Sequence, residues 1–153
     1  MDEIIYEYGL EQCQHTLVGS VTKKRISGGE RKRLSIGVEL ITDPSLIMLD
    51  EPTSGLDSFK ALGLVKMLHN LAHKKGKTII ATIHSPSSEA FNYFDNLILL
   101  ADGHAVFQDR SRKCQKYFNQ MGYPLERFKN PADSLLKILS VSYPKTESEE
   151  LKL

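Results

Sequence analysis

The stretch Leu46-Ile47-Met48-Leu49-Asp50-Glu51-Pro52 limits the fold more than any other part of the chain. Four apolar residues run directly into two adjacent carboxylates, and a proline ends the run. A short, unbroken apolar segment predicts a strand buried on both faces, as in a parallel sheet covered by helices. Asp50 and Glu51 then emerge at the carboxyl end of that strand, the edge where open α/β sheets bind ligands. Two readings fit the pair. One is an acidic turn after a strand. The other is a hydrolytic site, with one acid holding Mg²⁺ through water and the other orienting or deprotonating the attacking water.

The flanking segments supply the rest of the fold. Residues 2–15 predict a short, weakly amphipathic helix with Ile4, Ile5, Tyr8 and Cys13 on one side, and residues 16–25 a loop. From Ile26 to Arg33 the chain enters a helical pattern with Leu34, Val38 and Ile41 on one face. Asp43-Pro44 closes it, because a residue before proline avoids the helical region. Thr53 to Ser58 is a loop, with Asp57-Ser58 placed to cap a helix from about Phe59 to Lys75. Ala61, Val65, Leu68 and Ala72 form the predicted buried stripe of that helix, and Gly76 its C-terminal cap. Thr78-Ile79-Ile80-Ala81-Thr82-Ile83 reads as a second buried strand ending at His84. A turn and short helix follow over Ser85 to Phe94. Leu97 to Leu100 and Ala105 to Gln108 flank Asp102-Gly103 as a hairpin. Helices are predicted at 111–121 and 131–140, before a polar, mobile tail from Pro144. The order is that of an α/β domain. Two buried parallel strands are few for a self-sufficient doubly wound sheet, so the expectation is the second half of a larger domain.

Composition narrows the function classes. The 153 residues fit one modest domain, and 41% apolar with 25% charged residues is ordinary for a globular chain. Lys and Arg total 20 against 19 Asp and Glu, so net charge selects no partner. The basic cluster Lys23, Lys24, Arg25, Arg31, Lys32 and Arg33 reads as a solvated helix face rather than a nucleic-acid surface. Cys13 and Cys114 are too few for a disulfide framework and lack metal-ligand spacing, which implies a reducing compartment. Asp2, Glu3 and Glu7 exclude a signal-peptide core at the N-terminus. No window approaches the roughly 20 apolar residues that span a bilayer, although the chain could belong to a larger assembly that does. His69 and His73 lie four apart on a helix without an evident third ligand, and read as part of its polar face.

Ser27-Gly28-Gly29-Glu30 is the second informative stretch. Ser27 as N-cap with Glu30 three residues on is the capping-box pattern. That pattern does not explain two glycines in a first helical turn, where each weakens the helix. Glycine there lets a ligand approach exposed N–H groups at the positive end of the helix dipole, a site suited to phosphate.

Taken together, these motifs resemble those of ATP-binding-cassette (ABC) proteins. Ile26 to Arg33 resembles their signature sequence, Leu46 to Glu51 their Walker B strand, and Thr53 to Ser58 their D-loop. His84 stands where their switch histidine would. Arg31-Lys32-Arg33, Phe94 to Gly103 and Asn130-Pro131-Ala132-Asp133 are similar to the G subfamily, the White-like transporters. The last motif also reads as structural: Asn130 as N-cap, Pro131 at the first helical position, Asp133 near the positive dipole end. Ser85 departs from the glutamine common after the histidine, and Ser134 from an aromatic after the aspartate.

The resemblance covers residues 1 to about 142 and implies roles. Two nucleotide-binding domains would meet head to tail with ATP between them. Ser27, Gly28, Gly29 and Glu30 would form the signature that meets ATP on the partner domain, and Asp57 would couple the two sites. Asp50 would hold Mg²⁺ through water, Glu51 would act as general base, and His84 would stabilise charge on the γ-phosphate. The implied fold is part of a P-loop NTPase (ABC ATPase) domain: a parallel-sheet half with the signature helix and C-terminal helices. Residues 1–109 would be the C-terminal portion of the nucleotide-binding domain, 110–142 a helical extension, and 143–153 the polar tail. The partners would be a second nucleotide-binding domain and a transmembrane domain, with this part on the cytoplasmic side and no nucleic acid.

One required element is missing from the sequence. No G-x-x-x-x-G-K-[ST] loop occurs. Gly76-Lys77-Thr78 follows a helix and opens a strand, the reverse of that loop's context, and the pattern's first glycine would fall at Leu71. The leading expectation is an incomplete ATP-driven transport cassette whose isolated chain hydrolyses ATP negligibly. A non-catalytic module that docks onto a complete cassette is the alternative, and a soluble ABC ATPase is disfavoured by the G-type hairpin and Asn130 to Asp133.

Overall fold

Leu46–Leu49 (β1) and Thr78–Ala81 (β2) pair in parallel in the computed structural model of the chain, with Ile47 opposite Ile79 and Leu49 opposite Ala81. The structure describes residues 5, 6, 8–19, 25–126 and 129–140. Compactness divides the chain between His84 and Ser85.

In the N-terminal unit, two helices accompany the sheet: α1 (Gly28–Leu40) precedes β1, and α2 (Ser58–Lys75) crosses from β1 to β2. This is the βαβ unit that parallel pairing demands. Gly76, in the left-handed conformation at φ 66°, closes α2. Ile36, Leu40, Ile47, Leu64, Leu68 and Leu71 form the core with Tyr8 and Leu10.

Three expectations are corrected here. The strands are not buried on both faces: Ile47 is buried, while Leu46, Met48 and Ile80 are exposed. Among the described residues the helices cover one face of this two-stranded sheet, so alternate side chains meet solvent. On α1 the buried residues are Gly29, Ile36, Gly37 and Leu40, with Val38 and Ile41 exposed. The helix carries apolar residues around most of its circumference, and packing against α2 selects the stripe. On α2, Leu64 and Leu71 join Val65 and Leu68 inside, whereas Ala61 and Ala72 are half-buried. The larger leucines remove more apolar surface from water than the alanines.

The predicted helix over 2–15 lies partly outside the described residues, and its described part stops at Gly9. The Gly9 N–H donates to Tyr6 O at 3.1 Å and the Leu10 N–H to Ile5 O at 2.9 Å. With Gly9 at φ 60°, this is a Schellman termination. A single 3-10 turn at Glu11–Cys13 follows. The tail expected from Pro144 lies outside the described residues.

In the C-terminal unit, a short helix α3 (Ser88–Phe91) precedes strands β3 (Asn96–Ala101) and β4 (His104–Arg110), then α4 (Ser111–Gln120) and α5 (Pro131–Leu139). β3 and β4 form the predicted antiparallel hairpin, with a bulge between Leu99 and Leu100. Asp102 and Gly103 both have positive φ, 49° and 79°, as a two-residue type I′ turn requires. Phe107, Cys114, Phe118 and Leu135 form the core of this unit, where burial pushes the Cys114 thiol up to about 11. Asn130 caps α5 by accepting from the Ala132 N–H at 3.1 Å. Its Nδ2 donates to Pro86 O at 2.8 Å. No helix among the described residues is long and apolar enough to cross a membrane.

Candidate functional site

Asp50 and Glu51 leave the carboxyl end of β1 and are both exposed. Glu51 is held in the left-handed region at φ 41°, a conformation that side chains other than glycine seldom adopt. Both of its backbone polar groups are occupied. Its N–H donates to Thr82 Oγ1 at 2.8 Å. Its carbonyl accepts from Lys32 Nζ at 3.2 Å. The Thr82 hydroxyl in turn donates to Asp50 Oδ1 at 2.6 Å. One hydroxyl just beyond β2 thus joins the two acids. His84 follows two residues later, with an exposed imidazole that has no hydrogen-bond partner among the described residues, and Ser85 beside it has φ 44°.

The signature-like segment begins α1. Ser27 is its N-cap: Ser27 Oγ accepts from the Glu30 N–H at 3.3 Å, and the Ser27 N–H donates to Glu30 Oε2 at 2.6 Å. The capping box is therefore formed. The Ser27 N–H beside it, then the Ser27 hydroxyl, hold the Glu30 carboxyl below its usual range, with the Arg33 and Lys60 charges adding to the effect.

Asp57 occupies the same position on α2. Its Oδ1 accepts from the Lys60 N–H at 2.9 Å and its Oδ2 from Lys60 Nζ at 2.6 Å. The Lys60 ammonium is the main reason that the Asp57 carboxyl titrates below its ordinary value.

The starts of the two helices touch. A Cβ on Gly29 would lie 3.3 Å from Lys60 Cδ and 3.5 Å from Arg33 Nη1. One on Gly28 would meet only Leu56 Cδ2, at 3.9 Å. The structure therefore gathers Ser27, Gly28, Gly29, Glu30 and Asp57 in one place, and Asp50 and Glu51 in a second, with Lys32 reaching from α1 to the acids.

The basic cluster differs from the solvated face expected of it. Arg31 Nη2 donates to Val18 O at 3.3 Å, Lys32 Nζ to Glu51 O, and Arg33 Nη2 to Gly9 O at 3.3 Å. Three successive cations thus fasten three separate segments to α1, while Lys23 and Lys24 lie outside the described residues. Thr82 and Lys32 were not legible as site residues. The one available signal for Thr82 was a hydroxyl interrupting an apolar strand two positions before His84.

Residues 1–54 match the family described as ABC transporter, and residues 84–152 the family described as ABC-2 type transporter. ABC transporter G family member 25 of Arabidopsis thaliana is 48% identical over 137 residues, 90% of this chain and 21% of that protein. Protein white of Drosophila melanogaster is 45% identical over 142 residues, 92% of this chain and 20% of that protein. The mouse broad substrate specificity ATP-binding cassette transporter ABCG2 is 47% identical over 140 residues, again 92% of the chain and 21% of the relative. The chain spans about a fifth of the length of these relatives. Among solved structures, the ADP conformation of MJ1267, an ATP-binding cassette of an ABC transporter, aligns with a TM-score of 0.58 at 24% identity, covering 72% of this chain and 42% of that one. CbiO1 of Clostridium perfringens, part of the transporter complex cbiONQ, also gives 0.58 at 24% identity, covering 89% of this chain and 51% of that one. At this identity the structures establish the fold alone, which is that of part of an ATP-binding cassette.

Proposed function

Because the chain belongs to the ATP-binding-cassette transporter family, with G-family members as its curated relatives, we propose that it supplies the signature and the hydrolytic acids of a cassette that couples ATP hydrolysis to transmembrane transport. The observation that carries this reading is the pair Asp50 and Glu51, side by side and exposed at the end of β1, with the Glu51 backbone held at both polar groups. Exposed carboxylate oxygens, with Asp50 Oδ2 uncommitted among the described residues, suit a hard divalent cation. Asp50 would hold Mg²⁺ there through water, and the ion would neutralise phosphate charge. Glu51 takes the proton of the attacking water. His84 contributes a donor to the charge developing on the γ-phosphate.

Ser27, Gly28 and Gly29 meet ATP bound to a second nucleotide-binding domain arranged head to tail, and Glu30 and Asp57 hold the two helix starts at that interface. The phosphate-cradling loop, which has no counterpart in this sequence, comes from another segment. A transmembrane domain is the mechanical partner, with the cassette on its cytoplasmic side.

The test is ATP turnover by the isolated transporter assembly that carries this chain. Glu51→Gln lowers turnover by about 10²- to 10⁴-fold, and the purified chain alone shows no turnover above background. Full turnover in the glutamine variant, or robust turnover by the chain alone, would falsify this reading.

A further inference from the structure

We propose that Thr82 is a positioning residue for the two hydrolytic acids: its hydroxyl fixes the backbone of Glu51 and one oxygen of Asp50 in a single arrangement. The inference rests on the function proposed above, and adds a residue to it.

The Thr82 N–H donates to Leu49 O at 3.0 Å, which carries the β1–β2 ladder one step past the end of β2. That step sets the Thr82 side chain beside the end of β1. A hydroxyl can donate once and accept as well, and Thr82 uses both capacities, donating to Asp50 Oδ1 and accepting from the Glu51 N–H. The two bonds, at 2.6 Å and 2.8 Å, hold one carboxylate oxygen of Asp50 and the backbone from which the Glu51 carboxylate projects. They also assign the Asp50 oxygens: Oδ1 faces the protein, and Oδ2 remains for a cation or its water.

Glu51 needs such support. A left-handed conformation in a residue other than glycine persists only where its surroundings hold it. Thr82 at the N–H, and the Ser54 N–H at 3.0 Å with Lys32 at the carbonyl, are those surroundings. Released from Thr82, Glu51 can relax toward the ordinary region, which rotates its carboxylate away from the position set by the strand. A general base displaced in this way loses rate without losing substrate.

Valine matches threonine in shape but lacks the hydroxyl, whereas serine keeps the hydroxyl. Two measurements test the proposal. In the transporter assembly, Thr82→Val lowers kcat for ATP roughly 10- to 100-fold while KM stays within about twofold, and Thr82→Ser retains most of the turnover. In the chain itself, followed by amide hydrogen exchange, Thr82→Val raises exchange of the Glu51 N–H about tenfold and Thr82→Ser leaves it protected. Glu51→Gln is run alongside. If it abolishes turnover while Thr82→Val keeps it, Thr82 has no positioning role. Loss of turnover in the serine variant equal to that in valine overturns the proposal too, since the hydroxyl is present there. Turnover unaffected by Glu51→Gln instead removes the hydrolytic reading on which the proposal rests.

Discussion

The one-sided burial of the β1–β2 sheet makes a sharp prediction, because neighbouring residues of one strand should differ several-fold in their contribution to stability. Ile47 is 5% exposed and packs in the core with Leu64 and Leu68. Truncation to alanine removes most of its side chain and leaves a cavity, at a cost of about 3 kcal/mol. Met48, one position on, is 72% exposed. About a quarter of its surface is covered, and complete burial of methionine is worth about 2 kcal/mol, so Met48→Ala costs about 0.5 kcal/mol. The assay is urea unfolding followed by far-ultraviolet circular dichroism, in which the long helix α2 reports on this unit. With a slope of about 1.5 kcal/mol per molar, Ile47→Ala lowers the midpoint by about 2 M and Met48→Ala by about 0.3 M. Unchanged slopes in both variants would confirm that the midpoints report stability. A Met48→Ala loss equal to that of Ile47→Ala would refute the one-sided sheet and restore a strand buried on both faces.

Two further outcomes follow from the start of α1. The Glu30 carboxyl is held below its ordinary value of 4.5, chiefly by the Ser27 N–H. The unfolded chain therefore binds that proton more readily, so the stabilisation from Glu30 is present above pH 4.5 and is lost as pH falls through the lower folded value. Glu30→Gln keeps a side chain able to close the capping box, and the advantage of the parent over this variant should be constant above pH 4.5 and shrink as pH falls below it; parallel acid curves would show that Glu30 gains nothing from Ser27. Ser27→Asp separates the two uses of Ser27, because aspartate caps helices as well as serine does but repels a phosphate. Its midpoint in urea should stay near that of the parent while ATP turnover by the assembly drops at least about tenfold. Undiminished turnover would remove Ser27 from the nucleotide interface.

The parts of the fold legible in the sequence are those fixed by local chemistry. Asp102-Gly103 between apolar runs specifies a two-residue turn whatever surrounds it, and the turn is there. Gly76 after a basic last turn ends α2 for the same reason. What could not be read depends on which surfaces meet. An apolar strand has the same sequence whether helices cover one face or two. In α1, Leu34, Val38 and Ile41 and the competing set Ile36, Gly37 and Leu40 both have helical spacing, so periodicity cannot choose between them. The candidate site divides in the same way. Ser27, Glu30, Asp50, Glu51 and Asp57 stand in short motifs. Lys32 and Thr82 reach Glu51 from 19 and 31 residues away, and nothing in either neighbourhood announces that reach.

The two glycines of the signature-like turn can now be told apart. Read from sequence, both had the same explanation, close approach of a ligand. Gly29 has a packing constraint inside the chain. It is buried, and a methyl group there would sit tightly against the Lys60 stem at 3.3 Å, with ordinary contacts to the Arg33 guanidinium at 3.5 Å and Leu56 at 3.9 Å. Lys60 and Arg33 belong to the arrangement that caps α2 and fastens α1, so the packing of two helix starts favours a small residue at 29. Gly28 has no such constraint. It is exposed, and a methyl group there would make one ordinary contact with Leu56 at 3.9 Å. Its cost to the first turn of α1 is not offset by any contact among the described residues. We propose that, of the two positions, Gly28 is the one that answers to a ligand or a partner backbone.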